Sequence, residues 1–174
     1  MGMTDSGMNA VPPRHEIRNG ADHLAWSDDM LVGHGAIDET HREFVDLVND
    51  LRRCLPEDAT RQLLRLKEHV LSHFETEEQL MRQFNYPSLD CHSDEHAKVV
   101  HAIDQVLQRL QTGLLALSKV HGLAQALMDW FPGHITYMDS ALSAWLSKQR
   151  FSAAPIVLRR GAARQEEQRA HSGA

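Results

Sequence analysis

Seven residues of this chain combine metal-donor chemistry with helical spacing: His41, His73 and Glu77, His92 and His96, and His134 and Asp139. His73 with Glu77, and His92 with His96, are four positions apart. Such pairs stand on one face of a helix, about 6 Å apart, and can reach a common point. His134 and Asp139 are five apart, a step that turns about 140° around an α-helix. That spacing suits a long imidazole reaching one metal while the carboxylate bridges sideways.

Five imidazoles and two carboxylates exceed the four donors of a structural zinc site. They suit two six-coordinate ions that share both carboxylates and one bridging solvent atom, with one position left open. Imidazole and carboxylate without thiolate favour iron or manganese, and also admit zinc. Two cations would neutralise carboxylates that are otherwise costly to bury in a bundle core.

A single helical histidine is ordinarily a surface residue or a hydrogen-bonded core residue, and an HxxxH pair arises by chance. His69 is also four residues from His73, yet it reads as structural background, as does His101. His15, His23, His34, His121 and His171 fall in arms, tails or faces without partners. What carries the metal reading is that each of four consecutive helices contributes.

Those helices follow from apolar periodicity. Phe44, Leu47, Val48, Leu51 and Leu55 mark the first, with Asp38 as its expected cap and Pro56 as its end. Leu63, Leu66, Val70, Phe74, Leu80 and Met81 mark a second, from about Asp58 to about Phe84, broken by the NYPS run at 85–88. Ser88 is the expected N-cap of a third, through Val99, Val100, Ile103, Val106, Leu107 and Leu110, ending near Gly113. A fourth spans about Leu117 to Gln149. The fold class is therefore all-α, an up-down-up-down four-helix bundle. Residues 23–150 form the bundle with its ordered N-terminal arm, 1–22 a flexible lead-in, and 151–174 a disordered tail.

The remaining composition limits the function. A net charge of −6 argues against nucleic acid as the main partner. No apolar run is long enough to span a membrane, and the N-terminus lacks the basic start and apolar stretch of a secretory signal. The expected compartment is the cytoplasm. Cys54 and Cys91 are too few for a disulfide framework and read as ordinary thiols.

Trp26 with the run ID38ETH41, then H73FETE77EQLM, then NYP before H92SDEH96, then W130FPGH134ITYMD139, together resemble the hemerythrin family, most closely its bacterial single-domain kind. The likeness covers about residues 24–148. It implies a non-heme pair of iron ions, bridged by carboxylates and an oxo or hydroxo group. His92, His96 and His134 would hold one iron, and His41 and His73 the other, which keeps a position open for O2. Glu77 and Asp139 would bridge. Phe44, Phe74, Trp130, Phe131 and Ile135 would form an apolar pocket around the open position, as well as packing the core. The function implied is reversible O2 binding for storage, delivery or sensing, a binding protein rather than an enzyme.

The residues themselves add a contrast with ferritin-like oxidases, which use Glu-x-x-His pairs and more carboxylates. A histidine-rich, less anionic site stabilises high iron oxidation states less and so favours reversible binding over oxygen activation. The alternatives are a di-iron enzyme acting as peroxidase, ferrous oxidase or nitric-oxide handler, or a plain metal-binding or sensor module. Tyr137 is the nearest redox-active candidate for an enzyme. One departure from the family pattern is Pro132-Gly133, directly before His134. Proline deprives the Met128 carbonyl of its donor and predicts a kink or short break at 128–132.

Overall fold

The computed structural model describes residues 23–113 and 115–152. The expected lead-in 1–22 lies outside the described residues, as does the expected tail from 153 onward. Four helical rods follow one another with short connections: α1 (Gly35–Arg53), α2 (Ala59–Gln83), α3 (Leu89–Gln111) and a fourth rod of α4 (Leu117–His134), a π turn (Ile135–Asp139) and α5 (Ser140–Ser152). Each rod packs beside the next, and α1 closes against α4, which is the four-helix bundle expected from periodicity. No helix among the described residues is long and apolar enough to cross a membrane.

Burial divides the bundle into three layers. A large apolar layer contains Phe44, Val48, Leu51, Leu63, Leu66, Val70, Ile103, Val120 and Leu127. A small one contains Met81, Leu142 and Leu146, with Phe84 and Tyr86 against it. Each rod also carries positions that are polar yet buried: His41 on α1, His73 and Glu77 on α2, His92 and His96 on α3, and His134 and Asp139 on the fourth. The donor residues thus form a polar slab sealed by hydrocarbon at both ends.

The N-terminal arm, residues 23–34, is tied down by side chains from the rods. It is irregular apart from a single 3-10 turn at Asp28–Met30. The Asn49 amide brackets Leu24, accepting from its N–H at 2.9 Å and donating to its carbonyl at 2.8 Å. Ser143 donates to the Val32 carbonyl at 2.7 Å. Asp38 is not the cap of α1. The helix begins three residues earlier, and Asp38 is buried in its first turn, accepting the Val32 N–H at 2.7 Å. Ser88 does occupy the N-cap position of α3, but its side chain makes no capping bond. Past Gln111, Gly113 turns the chain at a φ of +69°, which glycine adopts without strain.

The fourth rod departs from expectation in an informative way. α4 is not broken at 128–132; it continues through Pro132 to His134. The irregularity comes three residues later, as the π turn, where the Ser140 N–H reaches back five residues to the Ile135 carbonyl. The Ser140 hydroxyl donates to that same carbonyl at 2.9 Å. α5 runs to Ser152, the second residue of the segment expected as a tail, and the rest of that segment lies outside the described residues.

Candidate metal centre

The π turn explains the five-residue spacing of His134 and Asp139. A single π turn accommodates one extra residue in the helix, so the fifth residue takes the place that the fourth holds in a regular helix. His134 and Asp139 therefore share a face, with Nε2 and Oδ1 3.2 Å apart. The sideways bridge inferred for a regular helix is unnecessary.

All seven expected residues meet in the buried slab. Every one of the five histidines presents Nε2, and each carboxylate divides its two oxygens between two groups of imidazoles. Glu77 Oε2 faces His96 at 3.3 Å and His92 at 3.6 Å, while its Oε1 faces His73 at 3.8 Å. Asp139 Oδ1 faces His92 at 3.1 Å and His134 at 3.2 Å, while its Oδ2 faces His41 at 3.2 Å. Two donor groups result among the described residues, His92–His96–His134–Glu77 and His41–His73–Glu77. Asp139 touches both.

These contacts are close, yet few are hydrogen bonds. Both oxygens of Glu77, both of Asp139, and Nε2 of His41 and His96 are buried without an aligned partner. A buried carboxylate left so is strongly disfavoured. Donor atoms about 2.1 Å from a shared ion, at right angles to one another, stand about 3 Å apart. The observed separations and the orphaned atoms are what a pair of cations would satisfy.

The charges agree. Burial drives the His73 imidazole down to about 3, helped by His41 beside it, and His96 down to about 2, helped by His92 and His134. Both are neutral lone-pair donors at physiological pH, the form a metal binds. Burial, and then the charge of Asp139, push the Glu77 carboxyl well above its usual range. Burial would raise Asp139 as well, but the imidazoles of His134, His41 and His92 hold it well below.

The aromatic residues expected around the open position fall on different sides of the slab. Phe44 and Phe131 lie together, ring centroids 4.3 Å apart, and the Phe131 and His41 rings meet at right angles at 5.4 Å. Phe74 instead lies flat on His96 at 3.8 Å, and Trp130 on His134 at 4.3 Å. Ile135 is buried as the first residue of the π turn. Of the residues set aside as structural, His101 is exposed and bonded to Gln105, whereas His69 bonds the Thr40 carbonyl at 3.1 Å and stacks on His73. Thr40 was not anticipated. Its hydroxyl lies 3.1 Å from His73 Nδ1, a contact across 33 residues that no local spacing signals.

Comparison with known proteins agrees with this arrangement. Residues 32–146 match the family model for the hemerythrin HHE cation binding domain. The bacteriohemerythrin of Ralstonia nicotianae is 29% identical over 126 residues, covering 72% of this chain and 90% of that protein. That of Aquifex aeolicus is 26% identical over 119 residues, covering 66% and 91%. A crystal structure of wild-type hemerythrin superposes with a TM-score of 0.66 at 24% identity, covering 71% of this chain and 98% of that one, and shows the same fold. The non-heme di-iron centre of that family fits the donor set found here, with its orphaned carboxylates and neutral imidazoles. The chain belongs to the hemerythrin family and is an iron-binding four-helix bundle.

Proposed function

We propose that this protein binds O2 reversibly at the iron held by His41 and His73. The observation that carries the reading is an inequality between the two donor groups. His92, His96 and His134 with one oxygen from each carboxylate make five donors; His41 and His73 with the other two oxygens make four. An ion held by the poorer group would have the position to spare for a ligand. When bound, the iron pair supplies the electrons that O2 takes up and returns.

The protein's own residues do the rest. Glu77 and Asp139 would be shared by the two ions, since each turns one oxygen toward each group of imidazoles. Phe44 and Phe131, each no more than 2% exposed, wall the His41 side and keep out water that would displace or protonate the bound ligand. Phe74 and Trp130 cover His96 and His134 of the five-donor group instead, and buried Ile135 adds to the apolar surroundings of the centre. Tyr137, the candidate for redox chemistry, is 80% exposed. We place the protein in the cytoplasm, where the free thiols Cys54 and Cys91 suit the reducing environment.

The test is anaerobic optical titration of reduced, iron-loaded protein with O2, alongside metal analysis. Two irons per chain are expected, with a charge-transfer band that appears with O2 and fades on deoxygenation. His73→Ala should lose the band. Steady consumption of peroxide or Fe(II), with no reversible band, would replace this reading with that of an enzyme.

A further inference from the structure

We propose that Thr40 is a positioning residue for the open iron, fixing the tautomer and ring orientation of His73 through its hydroxyl. This rests on the ligand assignment above. The Thr40 hydroxyl has one proton to donate. It gives that proton to the Ile37 carbonyl, one turn back on α1, at 2.8 Å, with the Ala36 carbonyl farther off at 3.4 Å. A carbonyl can only accept, so the hydroxyl meets His73 Nδ1, at 3.1 Å, with a lone pair. Nδ1 must then carry the imidazole proton. Nε2 is left bare and faces Glu77 Oε1 inside the donor group.

The arrangement is particular to one ligand. Nδ1 of His41, His92 and His134 is buried without a hydrogen-bond partner and that of His96 has only Glu78 Oε1 at 3.7 Å, so the His73 ring alone among the five is fixed from outside by a hydrogen bond. Metal-bound imidazoles ordinarily have their second nitrogen held by an acceptor, which raises ligand basicity and fixes the ring. His73 belongs to the group with fewer donors, where each ligand bears more of the ion's binding. Thr40 is itself braced. His69 Nε2 contacts its carbonyl at 3.1 Å, and the His69 ring lies on His73 with centroids 6.1 Å apart. Thr40 also directly precedes His41, so one turn of α1 supplies one ligand of this iron and orients the other.

Thr40→Val removes the hydroxyl at nearly constant volume, Thr40→Ala removes it without β-branching, and Thr40→Ser keeps it. Two readouts on iron-loaded full-length protein test the role: competition with a chelator, and the solvent-exchangeable imidazole N–H signals in the NMR spectrum of the reduced form. In Val and Ala variants, one of two irons should be lost with affinity reduced about 10–100-fold. One imidazole N–H signal should shift and exchange faster with solvent. Thr40→Ser should match the wild type in both. If Val and Ala variants also match the wild type while His73→Ala sheds an iron, the positioning role is wrong and the ligand assignment stands. If Thr40→Ser is as defective as Thr40→Ala, packing rather than the hydroxyl is responsible, which likewise overturns the proposal. If His73→Ala keeps both irons tightly bound, the ligand assignment itself fails.

Discussion

At the scale of single residues, the two carboxylates differ from the imidazoles in what their loss should do. Each imidazole belongs to one donor group, whereas Glu77 belongs to both. Glu77→Gln leaves a neutral amide of the same shape, which cannot place negative charge between two cations. We expect Glu77→Gln to weaken both irons together, giving well under one iron per chain after brief chelation. His41→Ala should strip one iron and leave the other near full occupancy. Metal analysis after timed chelation separates the two patterns, and equal stepwise loss from both variants would contradict the bridging role. The meeting of all seven residues in one buried slab was legible in the sequence, from spacings of four on two helices and from residue type on the other two. Thr40 was not, because successive residues on a helix point about 100° apart and its partner comes from another rod.

At the scale of elements, the π turn is the feature whose position the sequence misplaced while carrying its signature. Pro132 pointed to a kink or short break at 128–132; there is no break, and the rod stays helical through the proline to His134. The true signature was the spacing of five between His134 and Asp139, which a regular helix cannot put on one face. Propensity could not reveal this, because tertiary demand selects the wider turn: Asp139 must face the imidazoles, and Leu142 and Leu146 must still enter the core. An element with one residue to spare tolerates losing one. Deleting exposed Thr136 should let 135–139 close to a regular helix with the acid still under His134. Iron content should stay at the wild-type value and the melting temperature should move by only a few degrees. Deleting exposed Ala126, within α4, has no spare residue to draw on. It turns one part of the rod by about 100° relative to the other, so iron binding should be lost. Equal failure of both deletions would mean that the π turn is required for its own geometry.

At the scale of the whole molecule, the donor slab ties folding to metal and pH, because every rod supplies part of it. Stripped of iron, the folded protein keeps His73 neutral down to about 3 and His96 down to about 2, whereas unfolded histidines take up protons below about 6.5. Unfolding then binds protons, so stability falls as pH drops below 6.5. Glu77 opposes this. Its carboxyl is held above the ordinary 4.5, so the folded state retains a proton that the unfolded chain has released. From 6.5 to 4.5 these two imidazoles, with that of His69, which burial also lowers, outweigh the one carboxyl, and the decline is gentler than below 4.5. Below 4.5 Glu77 is protonated in both states and its opposition ends, while Asp139, held well below the ordinary 3.8, begins to cost stability as the unfolded chain protonates first. Urea midpoints of chelator-treated protein should therefore fall gently from pH 6.5 to 4.5 and steeply from 4.5 to 3. Iron reverses the Glu77 contribution, since a carboxylate bound to a cation holds no proton. Binding must then release protons, and the stabilisation that iron confers should shrink as pH falls. A gap between loaded and stripped protein that stayed constant from pH 7 to 5 would mean that the cation is not bound through Glu77.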